Sequence, residues 1–214
     1  KGYVEIMLMG ASGELSQQQR HFLSIVKENT DRLTVLVNDL LDIARTEAGR
    51  VHLKFQLLRM EELVADVIED MRSRSQEENK PITFIQQAPK DLPDVTGDLE
   101  RIRQILGNLL SNGYNYTPAG GEVIVSIQAS EDQMQVDVRD NGVGIDPAVQ
   151  HRIFDRFYRG EDPLVLATSG FGLGLSLSKN LIEMHGGKLW FTSSGISGEG
   201  SVFSFTIPLT QPEE

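Results

Sequence analysis

Between Gln17 and Gly49 apolar residues recur every third or fourth position: Phe22, Ile25, Val26, Leu33, Val37, Leu40, Leu41 and Ile43. That spacing places them along one side of a helix, and a helix of this length spans roughly 50 Å. Such a rod must cover its stripe with another element, so the chain has to begin with packed helices. The preceding stretch, KGYVEIMLMG, also reads as helix interior through Val4, Ile6, Met7 and Leu8, with no capping Ser, Thr, Asp or Asn ahead of it. SGELS, from Ser12 to Ser16, separates the two. An antiparallel hairpin buries its seam best when its arms match, and these do not. The expectation is a hairpin cut short at its N-terminus, pairing with a second copy as a four-helix bundle. Packing of the long helix on the chain's own downstream domain is the alternative cover.

Beyond Gly49 the pattern changes. Met60, Leu63, Val64, Val67, Ile68 and Met71 mark a helix, Pro81 to Gln86 a short strand, and APKDLPDVTGD a loop whose Asp98 caps the next helix. EVIVSIQ and MQVDVRD alternate apolar and polar residues around SED, which is a hairpin pattern. The helix LSLSKNLIEMH and the strands KLWFTSS and GSVFSFTIPL follow. The fold expected is α+β: an incomplete antiparallel helical hairpin over residues 1–50, then a two-layer α/β sandwich over 51–214. A formal net charge of −11 argues against a nucleic-acid partner, which needs clustered Lys and Arg. The absence of cysteine excludes disulfides and thiolate chemistry and fits a cytoplasmic chain. With no apolar run long enough for a bilayer, membrane attachment is expected only through upstream segments.

Residues with chemical potential begin on DLERIRQILGNLLSN. Opposite its apolar stripe runs a second one, Arg101, Gln104, Asn108, Asn112 and Asn115. Amides are poor helix formers unless they have partners, and two Asn four residues apart offer neutral carbonyl oxygens to a Mg2+ shared with phosphate and water. Structural hydrogen bonding explains the same residues equally. RDNGVGIDP ends a strand in Asp140 and lets Gly142 and Gly144 bring the backbone close to a flat ligand, although Asp and Gly also build ordinary turns. In SGFGLGLSLSKNL, Gly170, Gly172 and Gly174 lead into a helix whose free N–H groups attract anions. Upstream, RIFDRFYRG offers Phe154 and Phe157 as anchors and Arg156 and Arg159 as phosphate-seeking cations, or simply core aromatics and solvated arginines. GEDPLVLATS between them reads as a mobile lid.

In order, NLLSN, DNGVGI, FDRFYR, GFGLGL and GEGSVFSFTIP resemble the ATP-binding domain of sensor histidine kinases, within the gyrase-like (Bergerat) ATPases. The helical region resembles the dimerisation and phosphoacceptor hairpin of the same kinases. The resemblance implies that Asn112 binds Mg2+ and that Asn108 lies near the phosphates. It further implies that Asp140 accepts from the adenine amino group, that Gly142, Gly144 and Ile145 admit the purine, and that Thr206 supports that contact. Tyr116 is expected against the adenine, Arg159 towards the phosphates, and Gly170, Gly172, Leu173 and Gly174 around them. Asn108, Asn112 and Arg159 are the implied catalytic set, and ATP and Mg2+ the implied cofactors.

The implied reaction is transfer of the γ-phosphoryl group to a histidine, then to an aspartate of a response-regulator receiver domain, by a homodimer paired through the hairpin. The family segment that carries the acceptor, of the form SHELRTPL, has no match here, and His21, His52, His151 and His185 stand elsewhere. A nucleotide-binding but non-transferring dimeric scaffold is the alternative function. Asn115 stands where the family places Lys or Arg, and Phe171 where it places a small residue, so Asn115→Lys is expected to tighten ATP binding.

Overall fold

A computed structural model describes residues 2–11, 13–47, 52–160 and 170–210. The chain divides into two compact units, Lys1–Val51 and His52–Glu214. In the first, α1 (Gly2–Leu8) is followed by α2 (Gln17–Glu47), a helix of 31 residues. A capping box starts α2: Gln19 N–H donates to Ser16 Oγ at 3.2 Å, and Ser16 N–H donates to Gln19 Oε1 at 2.9 Å. Arg20 returns to α1, donating to the Leu8 carbonyl at 3.0 Å. The apolar stripe of α2 is largely open in the single chain, with Phe22 55% and Leu33 59% exposed.

The second unit is a sheet with helices on one face. Its five strands lie in the order β2 (Thr83–Gln87), β4 (Glu122–Ala129), β5 (Gln133–Asp140), β7 (Val202–Pro208), β6 (Leu189–Thr192). β4 and β5 form the expected hairpin, with Val123 opposite Asp140. β2, in contrast, runs parallel to β4, because α4 (Leu99–Tyr116) carries the chain back across the sheet between them, whereas α3 (Met60–Glu77) precedes β2. Alternate strand residues point inward: Val123, Val125 and Ile127, then Met134, Val136 and Val138, then Phe203, Phe205 and Ile207, all buried. Against them pack Leu63, Val64, Val67 and Ile68 of α3, Ile102, Ile105, Leu106, Leu109 and Leu110 of α4, and Leu177, Leu181 and Ile182 of α5 (Gly174–Met184).

The loop expected between β2 and α4 contains a further strand, β3 (Val95–Gly97), paired antiparallel with β1 (Gln56–Leu58). Asp98 caps α4 as expected, accepting from Arg101 N–H at 3.2 Å, and its other oxygen accepts from Lys54 N–H at 2.8 Å. His185, fully buried, accepts from Asp98 N–H on Nε2 at 3.1 Å while Nδ1 faces the Leu181 carbonyl at 2.7 Å. Burial pushes its pKa below the ordinary 6.5. His21, His52 and His151 are exposed.

Candidate functional site

The last residue of β5 organises one end of the site. Asp140 is 6% exposed. Its Oδ1 accepts from Gly142 N–H at 2.8 Å and its Oδ2 from the Ser201 hydroxyl at 2.6 Å. Burial pushes the Asp140 carboxyl up from its ordinary range, while these hydrogen bonds favour the charged form. Each oxygen keeps a further lone pair, so the group can still accept from a ligand's amino group. Gly142 is required there, since a Cβ would overlap the Tyr116 carbonyl, which also accepts from Val143 N–H at 3.1 Å. The C-terminal end of α4 is thereby fastened to the turn after β5. Ile145 continues that turn, donating through N–H to Ser193 Oγ at 3.0 Å, and Gly144 lies against the same segment near Ser193 and Ile196.

Thr206 does not join this cluster. It lies opposite Gln135 on the sheet face away from the helices, and its hydroxyl accepts from Lys188 N–H at 3.2 Å. Ser201 holds the place expected of Thr206. Its signal was the hydroxyl following Gly200 in GEGSVFSFTIP, whereas Thr206 is five residues further along a strand with a period of two.

The other end of the site lies along α4 and the start of α5. Asn108 Nδ2 is 3.4 Å from the Gly174 carbonyl and 3.3 Å from Ser178 Oγ, so the amide stripe faces the glycine-rich turn. Asn112, one turn on, is half-buried, and its amide forms no hydrogen bond among the described residues. Open amide valences suit a metal ligand. Among the described residues no group of three or more His, Cys, Asp or Glu could hold a metal.

Leu173, buried, stands at the N-cap of α5 and offers no side-chain cap, leaving first-turn N–H groups for an anion. Gly172 has φ +70° and packs on the Phe157–Tyr158 backbone, with its carbonyl accepting from Phe157 N–H at 2.9 Å. Gly170 is exposed, and Arg159 half-buried. Phe154 is an anchor, edge-on to Phe191 at 5.9 Å between centroids. Phe157 is not: it is 61% exposed at φ +62°, because the bond to Gly172 holds its backbone in a conformation that turns the ring outward. Within GEDPLVLATS, residues 161–169 lie outside the described residues. Among the described residues no helix is long and apolar enough to cross a membrane.

Residues 97–211 match the family model described as histidine kinase-, DNA gyrase B-, and HSP90-like ATPase, and residues 1–49 match the His Kinase A (phospho-acceptor) domain. The circadian input-output histidine kinase CikA of Thermosynechococcus vestitus is 33% identical over 97% of this chain and 28% of its own length. Sensor histidine kinase WalK of Bacillus subtilis is 32% identical over 100% of this chain and 34% of its own length. The chain thus spans about a third or less of these relatives. Among solved structures, full-length ShkA in complex with AMPPNP superposes with a TM-score of 0.79 at 30% identity, covering 100% of this chain and 43% of that one. Histidine kinase ThkA in complex with the response regulator TrrA shares the fold, with a TM-score of 0.69 at 24% identity over 97% of this chain and 58% of that one.

Proposed function

Because the chain belongs to the histidine kinase-, DNA gyrase B- and HSP90-like ATPase family, as a sensor histidine kinase catalytic core, we propose that it binds Mg–ATP and passes the γ-phosphoryl group to a histidine nitrogen. The observation that carries this reading is the buried Asp140, held by Ser201 and Gly142 in a glycine-lined recess with lone pairs to spare. A buried carboxylate with accepting capacity fits the amino edge of adenine, and the backbone of Gly142, Gly144 and Ile145 can lie close to a flat ring. Tyr116 borders the same turn.

Asn112 would hold Mg2+, which when bound offsets phosphate charge and orients the transferring group. Asn108, the first turn of α5, and Gly170 to Gly174 would receive the phosphates, with Arg159 added from the preceding segment. Catalysis of this kind rests on positioning and charge stabilisation, so none of these residues needs to be a nucleophile. Direct hydrolysis is disfavoured, because Asn108 cannot take a proton from water. Receipt of the phosphate by an aspartate of a receiver domain, and pairing of two chains through the open stripe of α2, complete the reading.

The reaction is tested by joining a helix bearing the SHELRTPL segment to the N-terminus and supplying Mg–ATP labelled at the γ-phosphate. The expected product is an acid-labile, alkali-stable protein phosphate that chases to a receiver domain. Nucleotide binding without any label would favour the non-transferring scaffold.

A further inference from the structure

Resting on the nucleotide reading of this site, we propose that Arg74 of α3 is a second cation of its phosphate end, beside Arg159. Asn108, Asn112 and Asn115 of α4 supply amides but no charge, while the chain as a whole carries −11 and repels a polyanion. Arg74 crosses to that face from the last turn of α3. Its Nη1 donates to Ser111 Oγ at 3.1 Å, next to Asn112 in sequence, and its Nη2 donates to Asn115 Oδ1 at 3.5 Å.

The guanidinium is held in place rather than consumed by these contacts. Nε donates to Glu78 at 2.7 Å, and the group lies over the Tyr114 ring at 4.8 Å from the centroid. A guanidinium has five N–H donors, so two remain after these three bonds, both on the forked nitrogens that suit phosphate oxygens. The side chain is 35% exposed, enough for a ligand to reach it.

Lys80 has a different role. Its Nζ donates to the Tyr114 and Asn115 carbonyls at 2.6 and 3.2 Å, closing the C-terminal end of α4 from the other cationic contact on the Tyr114 ring. Two cations against the single carboxylate of Glu78 leave one positive charge beside the amide stripe. Asn115 is then the acceptor that aims Arg74, and a lysine at 115 would meet a like charge. Asn115→Lys should accordingly tighten binding only where Arg74 has been removed, which replaces the simpler sequence expectation.

Binding of Mg–AMPPNP by calorimetry and of adenosine by chemical-shift titration tests the assignment. Arg74→Met, which keeps the aliphatic stem over Tyr114, is expected to weaken AMPPNP about tenfold and leave adenosine unchanged. Adding Asn115→Lys to Arg74→Met should recover most of the loss. Arg74→Gln is the second variant, carrying the same expectation if Arg74→Met does not fold. AMPPNP binding equal to the parent, or an equal loss of adenosine and AMPPNP, would overturn the role of Arg74 while the nucleotide reading stands. A parent chain that binds neither ligand would instead reject the nucleotide reading, and the role of Arg74 with it.

Discussion

At the Asp140 end of the site both carboxylate oxygens already have partners, and Gly142 leaves no room for even a methyl group. At the Asn112 end the amide is open, the N-terminus of α5 is uncapped, and Gly170 is exposed. Both ends are built on α4, yet one is complete before a ligand arrives and the other is not. The difference matches what each would hold. A purine is rigid and can be met by a fixed recess, whereas phosphates and an ion change in number and charge during a reaction and need valences left available.

The largest effect belongs to the finished end. Asp140→Asn replaces an acceptor by a group that also donates, and a loss of about a hundredfold in affinity for both adenosine and AMPPNP is expected, with the fold retained. Adenosine binding should also strengthen as pH rises through the Asp140 pKa, which burial holds above its ordinary 3.8, and then level off. Gly142→Ala should cost about 2 to 3 kcal/mol of stability in denaturant unfolding, because the Tyr116 carbonyl must move.

The open end should respond more selectively. Asn112→Ala is expected to weaken Mg–AMPPNP about tenfold, remove most of the Mg2+ dependence, and leave adenosine binding and the melting temperature close to the parent. Equal effects on adenosine and AMPPNP would erase the distinction between the two ends.

The smallest effect lies away from the ligand, where His185 joins α5 to Asp98 at the start of α4. The folded state holds His185 neutral with a pKa below 6.5, whereas the unfolded chain protonates it near that value. Its contribution to stability is therefore complete above pH 6.5 and declines as pH falls from there towards the folded pKa. His185→Gln should flatten this acid limb in pH-dependent unfolding, at a cost of about 1 kcal/mol near neutrality. An unchanged acid limb would assign the pH dependence to other groups.

The elements were legible where a period was long or a cap was explicit: α2 through its stripe, α4 through Asp98, β4 and β5 through their alternation. β1 and β3 were not, since three residues each are too short to show a period, and their pairing across about forty residues leaves no local mark. The parallel pairing of β2 escaped for the same reason. Within the site, residues held by nearby backbone, such as Asp140 with Gly142, could be read from a single motif. Ser201 and Arg74 could not, because their roles depend on which strand neighbour and which helix turn face them. Phe157 was misplaced because its hydrophobicity suggests burial while its backbone conformation turns it out.

The most direct measurement is residue-resolved chemical-shift mapping of the chain, first with adenosine and then with AMPPNP and Mg2+. The two-ended site predicts that adenosine perturbs the amides of Asp140, Gly142, Gly144 and Ile145, and that the second ligand adds Asn108, Asn112, Gly170, Gly172 and Gly174. Adenosine that leaves the turn after β5 unperturbed, or phosphates that add nothing along α4 and the start of α5, would contradict it.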